Sequence, residues 1–305
     1  MQKYIIRRFF QSLVALLVLS MLIFLMSRLT GDPVLLMLPD DATHEDVEQL
    51  RHALGLDRPL PVQYWVFISK AVRGDFGRSI KGQMPVIDMI AERLPNSIKL
   101  GAVALCFAVL LAFPLGVMAA VKKGTALDTL ANMVAILGQS LPQFWVGIVL
   151  IQLFAVRLRW LPVAGVGSFS HYVLPAFTLG WFVVAGMMRL LRSSMLDVMG
   201  SEFVKMARIK GLPEPTVIWK HALRNAFIPV LTFGAIYLAI LVTGAILVET
   251  VFAWPGVGQL VYQGIVFRDF PVVQAVVLLT ACIVIAINLL VDITYAYVDP
   301  RIRYS

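Results

Sequence analysis

Apolar residues fall along this chain in long unbroken blocks rather than at the intervals of a water-facing core. Six blocks stand out, at 9–29, 98–121, 131–155, 172–190, 226–249 and 272–296. About twenty residues rising 1.5 Å apiece reach about 30 Å, the thickness of a bilayer's hydrocarbon layer. The blocks do not alternate apolar with polar, which excludes a transmembrane β-barrel. The pattern predicts an all-α integral membrane protein with six transmembrane helices. Pro175 and Gly180 interrupt the fourth block, and such breakers are tolerated in a span where neighbouring helices satisfy the freed backbone groups. Lys3, Arg7 and Arg8 precede the first block as they would a signal peptide. Its length, and "SRLTGDP" in place of a small-residue cleavage site, predict a retained span.

Between the fourth and fifth blocks the pattern changes. "EFVKMARIKGLP", Glu202 to Pro213, has the spacing of a short amphipathic helix. Phe203, Met206 and Ala207 share one face by i, i+3, i+4 spacing, with Lys205 and Arg208 away from it. Gly211 supplies the left-handed residue that closes a helix, and Pro213 follows where a helix does not continue. A second segment, "TVIWKHALRNAFIP", leads into the fifth block, so the connection is a folded helix–turn–helix elbow. Physics alone leaves two readings of it: a helix held at the interface by anionic lipid, or a rigid docking element on which Ala207 permits close approach of another surface.

Composition agrees with a membrane protein. The 305 residues are 59% hydrophobic and 14% charged, with mean hydropathy +0.84, against about 25% charged for a soluble domain. The net charge of +8 comes from basic residues in short connections. Lys3, Arg7 and Arg8, then Lys122 and Lys123, then Arg192, Lys205, Arg208, Lys210, Lys220 and Arg224, and finally Arg301 and Arg303 all fall on one side of six spans. That places both termini in the cytoplasm, with Arg157 and Arg159 against the trend but outweighed. No basic patch is interleaved with exposed aromatics, so nucleic acid is not a partner. Segment 30–97 is then extracytoplasmic, holds ten of the eighteen acidic residues, and has helical patches such as "HEDVEQLRHALGL". The expected organisation is 1–29 for the N-terminus and first span, 30–97 for a small external helical subdomain, 98–298 for a five-span core containing the elbow at about 193–225, and 299–305 for a cytoplasmic tail.

Catalytic chemistry has no foothold. The chain has no GxxxxGK[ST] loop, HExxH or GxSxG, and His44, His52, His171 and His221 are isolated. Cys106 and Cys282 each lie in an apolar run and form no metal or disulfide pattern. Glu249 ends the fifth block and Asp292 lies in the last turns of the sixth. A carboxylate there marks either an ion or substrate pathway or a hydrogen bond at the membrane interface. The deep carboxylates and paired broken helices of an ion-coupled carrier are absent from the pattern.

"EFVKMARIKG" followed by "HALRNAFIP" resembles the signature of permeases from binding-protein-dependent ABC importers, in which an acid, an alanine and a glycine recur as Glu202, Ala207 and Gly211 do here. The rest of the chain is similar to the B-type permease subunit of the dipeptide/oligopeptide/nickel branch. Matching pieces are "GDP" at 31–33, "LGLDRPLPVQYW", "GDFGRSI", "RSSMLDVMGSEFVKMARIKGL", "GAILVETVFAWPGVGQL", "RDFPVVQA" and "DPRIRY". The family often has Tyr at the position of Phe203, and Thr-Ala-Arg-Ala-Lys-Gly where Met206 to Gly211 stand.

This resemblance implies the type I ABC importer permease fold and a non-catalytic subunit of the bacterial inner membrane. It carries no cofactor itself, while ATP and Mg²⁺ belong to partner ATPases. The implied partners are a homologous second permease, two ATPase subunits, an extracytoplasmic substrate-binding protein and membrane lipid. The implied cargo is a di- or oligopeptide, with nickel, glutathione or another small solute as alternatives. An ion-coupled carrier and a non-transporting scaffold are the rival classes. Glu202, Phe203, Lys205, Ala207, Arg208, Lys210, Gly211 and Leu212 are then expected to couple to the ATPase. Gln139, Ser140, Pro142 and Gly244 are expected to line the pore, and Glu249, Trp254 and Pro255 to form an external gate or meet the binding protein.

Overall fold

The computed structural model describes residues 2–29, 34, 38, 43–242 and 245–298, with side chains at 6–29, 34, 38, 43–241 and 245–291. Gly244 of the expected pore lining lies outside the described residues, as does the Asp292 side chain. The described residues form helices and no strand, apart from one isolated antiparallel bridge between Arg78 and Pro85. The helices are α1 (Gln2–Leu29), α2 (His44–Ala53), α3 (Leu60–Val72), α4 (Val86–Val121), α5 (Ala126–Ser140), α6 (Gln143–Leu150), α7 (Ser170–Met199), α8 (Glu202–Ile209), α9 (Leu223–Val242), α10 (Ile246–Val251), α11 (Val257–Val266) and α12 (Phe270–Val298). π-Helical turns extend α6 over Ile151–Arg157 and lead into α9 over Val217–Ala222.

Among the described residues five helices are long and apolar enough to cross a membrane, and one bent helix pair makes a sixth if the pair counts as one span. The expected continuous helix over 131–155 is corrected to two helices, α5 and α6 with its extension, meeting at 103°. The cause is the Leu141-Pro142 pair. Proline disfavours α geometry in the residue before it, and Leu141 accordingly turns to φ −84°, ψ 131°. The fourth span differs in the other direction. α7 runs unbroken through Pro175 and Gly180 for 30 residues, well past the expected end at 190. α4 is likewise longer than expected, starting at Val86 rather than 98. The fifth apolar block divides into α9 and α10.

The chain separates into two compact units, Met1–Asn96 with Pro255–Ser305, and Ser97–Trp254. In the first, Val86, Ile90, Val257, Leu260, Val272 and Ala275 make the core. Asp269, buried, holds the turn after Arg78 in place: its carboxylate accepts Ser79 Oγ at 2.5 Å and the backbone N–H groups of Ile80 and Lys81 at 3.1 and 3.3 Å. α1 packs on α12, where Gln274 Nε2 donates to Ser27 Oγ at 2.5 Å. α1 also meets α3 through Phe24, Tyr64 and Phe67. α2 starts in a capping box, and the two Thr43 contacts, hydroxyl first, hold the Asp46 carboxyl below its ordinary value.

In the second unit α7 is the central helix, packed by α5, α6 and α9. Gly138 of α5 is required there, because a Cβ at that position would stand 2.6 Å from Ala185 Cβ. At the far end of α5, Asp128 is buried and forms a two-point ion pair with Arg192 of α7, with Nε to Oδ1 at 2.5 Å and Nη2 to Oδ2 at 2.8 Å. The same carboxylate accepts Gly124 N–H and Asn132 Nδ2, so its lone pairs are satisfied by protein groups.

Removing one member of a buried pair leaves the other charge uncompensated. Asp128→Ala and Arg192→Ala should each lower the thermal unfolding midpoint of the purified protein by several degrees. The double variant should lose clearly less than the sum, since the two residues act as one unit. Additive losses would show that the pair contributes nothing.

Candidate functional site

The elbow begins where α7 ends at Met199. Ser201, with extended backbone (φ −74°, ψ 154°), is the N-cap of α8, and its hydroxyl turns back to Val198 O at 2.5 Å. Glu202 in the first turn and Arg208 in the last complement the helix dipole. α8 closes in a Schellman turn: Gly211 N–H donates to Arg208 O at 2.9 Å and Leu212 N–H to Ala207 O at 3.3 Å. Gly211 sits at φ 75°, where a side chain is strained. Pro213 then caps the one-turn helix Glu214–Thr216 that opens toward α9.

A clamp crosses the turn. Arg208 donates through Nε to Glu214 Oε1 at 2.7 Å and through Nη2 to Oε2 at 3.4 Å. Lys205 pairs with Glu202 at 2.8 Å, but this contact is exposed and contributes little. The Arg208–Glu214 pair is also partly exposed; its value lies in fixing the angle between the two arms of the elbow.

The faces of α8 differ from the sequence expectation. Phe203 and Met206 point outward, 46% and 54% exposed, and Ile209 more so at 80%. Ala207 turns the other way with Val204, into the core cluster that contains Leu191 and Met195 of α7 and Val217 and Ala222 at the entry to α9. A two-turn helix has a phase that spacing alone fixes poorly, and the inward side is set by Val204. Ala207 is therefore small so that α8 can approach its own unit. The outward stripe is Phe203, Met206 and Ile209, joined by exposed Leu212 and Trp219 on the adjoining segment. Lys210 forms the C-cap and is exposed.

The structure gathers Glu202, Phe203, Lys205, Ala207, Arg208, Lys210, Gly211 and Leu212 into this elbow. Gln139, Ser140 and Pro142 come together at the bend between α5 and α6, with Ser140 and Pro142 exposed. Glu249 is buried and accepts Ser97 Oγ at 2.7 Å. Trp254 is fully buried, its ring edge-on to Tyr172 at 4.7 Å, and its backbone N–H donates to the backbone carbonyl of Glu249 at 2.8 Å. Pro255 is half-buried, and its carbonyl accepts Asn96 Nδ2 at 3.0 Å. Sequence reasoning overlooked Val204, Ile209, Glu214 and Asp128. The one local signal at Asp128, an acid three residues after Thr125, is that of a capping box, and the box does not form: the Thr125 side chain makes no cap bond. No cluster of three or more His, Cys, Asp or Glu that could hold a metal occurs among the described residues.

The family profile described as "Binding-protein-dependent transport system inner membrane component" matches residues 112–304, and the N-terminal profile of the same transport-system membrane components matches 1–101. The glutathione transport system permease protein GsiC of Escherichia coli strain K12 is 42% identical over 306 aligned positions, covering 100% of both chains. GsiC of Shigella dysenteriae serotype 1 matches to the same extent. Among solved structures, a chain of the inward-facing MetNI methionine ABC transporter aligns with TM-score 0.58 and 18% identity, over 69% of this chain and 96% of that one. That likeness establishes a shared fold.

Gly211→Ala would place a Cβ on left-handed backbone, at a cost of about 1–2 kcal/mol. Limited proteolysis should then cut faster at 210–213 while other cleavage sites keep their rates. Ala207→Phe, which must displace the core cluster that Ala207 shares with Val204 and Val217, should expose the elbow further. Equal protection in wild type and both variants would show that the turn and its inward face do not hold α8.

Proposed function

The chain belongs to the family of binding-protein-dependent transport system inner membrane components, and on that premise we propose that α8 is the element through which a separate ATPase drives it. The protein is a multi-pass inner-membrane permease subunit of an ABC importer, non-catalytic, working with an ATPase and a binding protein. The observation that carries the proposal is the two-sided character of α8. Its outward stripe is apolar and its inward side is built into the core shared by α7 and the entry to α9. A partner that grips Phe203, Met206 and Ile209 acts on both spans at once.

In this reading the elbow and both termini are cytoplasmic. Two ATPase subunits carry ATP and Mg²⁺, and one of them takes α8 into an apolar groove. Closure of the ATPase pair displaces α8, and the Arg208–Glu214 clamp and the Schellman turn keep the displacement from dissipating as bending. Ala207 positions the element, while Glu202, Lys205 and Lys210 lie exposed around its contact surface. A homologous second permease completes the pathway. Gln139, Ser140 and Pro142 line it at the broken span, since non-helical backbone at membrane depth is tolerated where it is buried in protein or faces a water-filled cavity. Gly244 is assigned to the same lining on sequence grounds alone. Glu249, Trp254 and Pro255 act as the external gate, because burial of the first two favours a packed closure over direct contact with a soluble protein. Segment 30–97 faces the binding protein, outside the membrane.

The cargo is a small peptide. Glutathione, itself a tripeptide, is the first candidate, supported by full-length similarity to glutathione permeases.

The test is uptake of labelled glutathione and of a dipeptide by the assembled importer in proteoliposomes. ATP and the binding protein should both be required, and an ion gradient should not replace ATP. Met206→Asp and Ile209→Asp should release the ATPase subunits and reduce uptake at least about tenfold, because a charge in an apolar contact costs more than the roughly 1.4 kcal/mol that a factor of ten represents. Full coupling in both variants would remove α8 from the proposed role, and preference for the dipeptide would overturn the glutathione assignment.

A further inference from the structure

α1 and α12 leave between them an open groove of about 430 Å³. Its walls are apolar: Leu22, Ile23 and Met26 from α1, and Val273 and Val277 from α12, with Ile265 from the end of α11. Two polar side chains of the wall, Ser27 and Gln274, are hydrogen-bonded to each other. The remaining polar group is Arg268, and three facts set it apart. Its side chain is exposed and has no hydrogen-bond or ion-pair partner among the described residues. The neighbouring carboxylate, Asp269, is turned inward to Ser79, Ile80 and Lys81, so it leaves the guanidinium charge uncompensated. The Arg268 backbone sits at φ 53°, a left-handed conformation that strains a residue with a side chain.

The position of this cation is as informative as its isolation. α1 ends at Leu29 and α12 begins at Phe270, so Arg268 stands where the two spans leave the hydrocarbon layer. That is headgroup depth, where Arg meets phosphate. Below it the groove offers hydrocarbon walls with no polar group left to satisfy except the paired Ser27 and Gln274. We propose that this groove is a binding site for one anionic phospholipid, with an acyl chain along the α1–α12 wall and the phosphate on Arg268. An apolar trough closed at headgroup level by a single cation matches that ligand in both of its chemistries. A zwitterionic lipid would fill the trough, but its own cation would offset the attraction to Arg268.

The assembled importer, purified with its partner subunits, tests this by native mass spectrometry after exchange into phosphatidylglycerol or phosphatidylcholine. Wild type should retain phosphatidylglycerol about fivefold better, the weight of one basic side chain at an anionic membrane surface. Arg268→Gln should erase the preference and Arg268→Lys should keep it. Val277→Trp, which fills the groove, should reduce retention of both lipids. Equal retention of the two lipids by wild type overturns the proposal, and so does an unchanged preference in Arg268→Gln. Inorganic phosphate that raises the unfolding midpoint as much as phosphatidylglycerol would make this a free-anion site. A photo-crosslinker at position 26 should capture lipid; capture of the second permease instead would show that protein occupies the groove.

Discussion

Burial of one side of α8 is the interaction on which the rest of the structure's use depends. Val204 and Ala207 lie in the same apolar cluster as Leu191 and Met195 of α7 and Val217 and Ala222 before α9. Burying a valine-sized side chain contributes about 1.5–3 kcal/mol, enough to hold an eight-residue helix that would not persist alone. The inward face of α8 is thus taken up by the chain's own core, while Phe203, Met206 and Ile209 on the outward face stay exposed. An element attached to two spans through one packed face moves only with them.

The bilayer imposes a second constraint that shapes where helices stop. Within hydrocarbon, backbone polar groups need internal partners, so a break in a span is permitted only where protein surrounds it or water reaches it. The break at Leu141-Pro142 meets that condition beside α7, where Gly138 lets the two helices touch. Asp128 and Arg192 meet it at the other end of the same contact, with the carboxylate accepting from a guanidinium, a backbone N–H and an amide. α5 is thus held to α7 at both ends, by close backbone approach at one and by charge at the other.

Much of this was legible in the sequence, and the failures share a cause. Span existence follows from run length alone, and Gly211-Leu212-Pro213 announces the turn that the Schellman bonds confirm. Run length carries no phase, however, so the block at 131–155 read as one helix although Leu141-Pro142 held the local signal of its break. Phase also decided the elbow: Ala207 and Val204 share the inward side, while Phe203 and Met206 go outward. Pairings across the chain were beyond any local pattern. Asp128 and Arg192 are 64 residues apart and Ser79 and Asp269 are 190 apart, and nothing near either residue names its partner. Glu249 was visible as a carboxylate at a span end, but only the fold shows that Ser97 satisfies it.

The two physical readings that the elbow's periodicity left open differ in how much rigidity each requires. A helix adsorbed on lipid gains from apolar area and basic charge, and neither gain requires a fixed angle to the chain on either side. This elbow fixes that angle three ways: a Schellman turn on a left-handed glycine, a two-point Arg208–Glu214 clamp across the turn, and a buried inward face. Each restraint costs conformational entropy that surface adsorption would not recover. A lever does require them, because a joint that bends absorbs the displacement it is meant to pass on. In the role proposed above, a docking element that passes motion from a separate ATPase to α7 and α9, these restraints are what make α8 a lever.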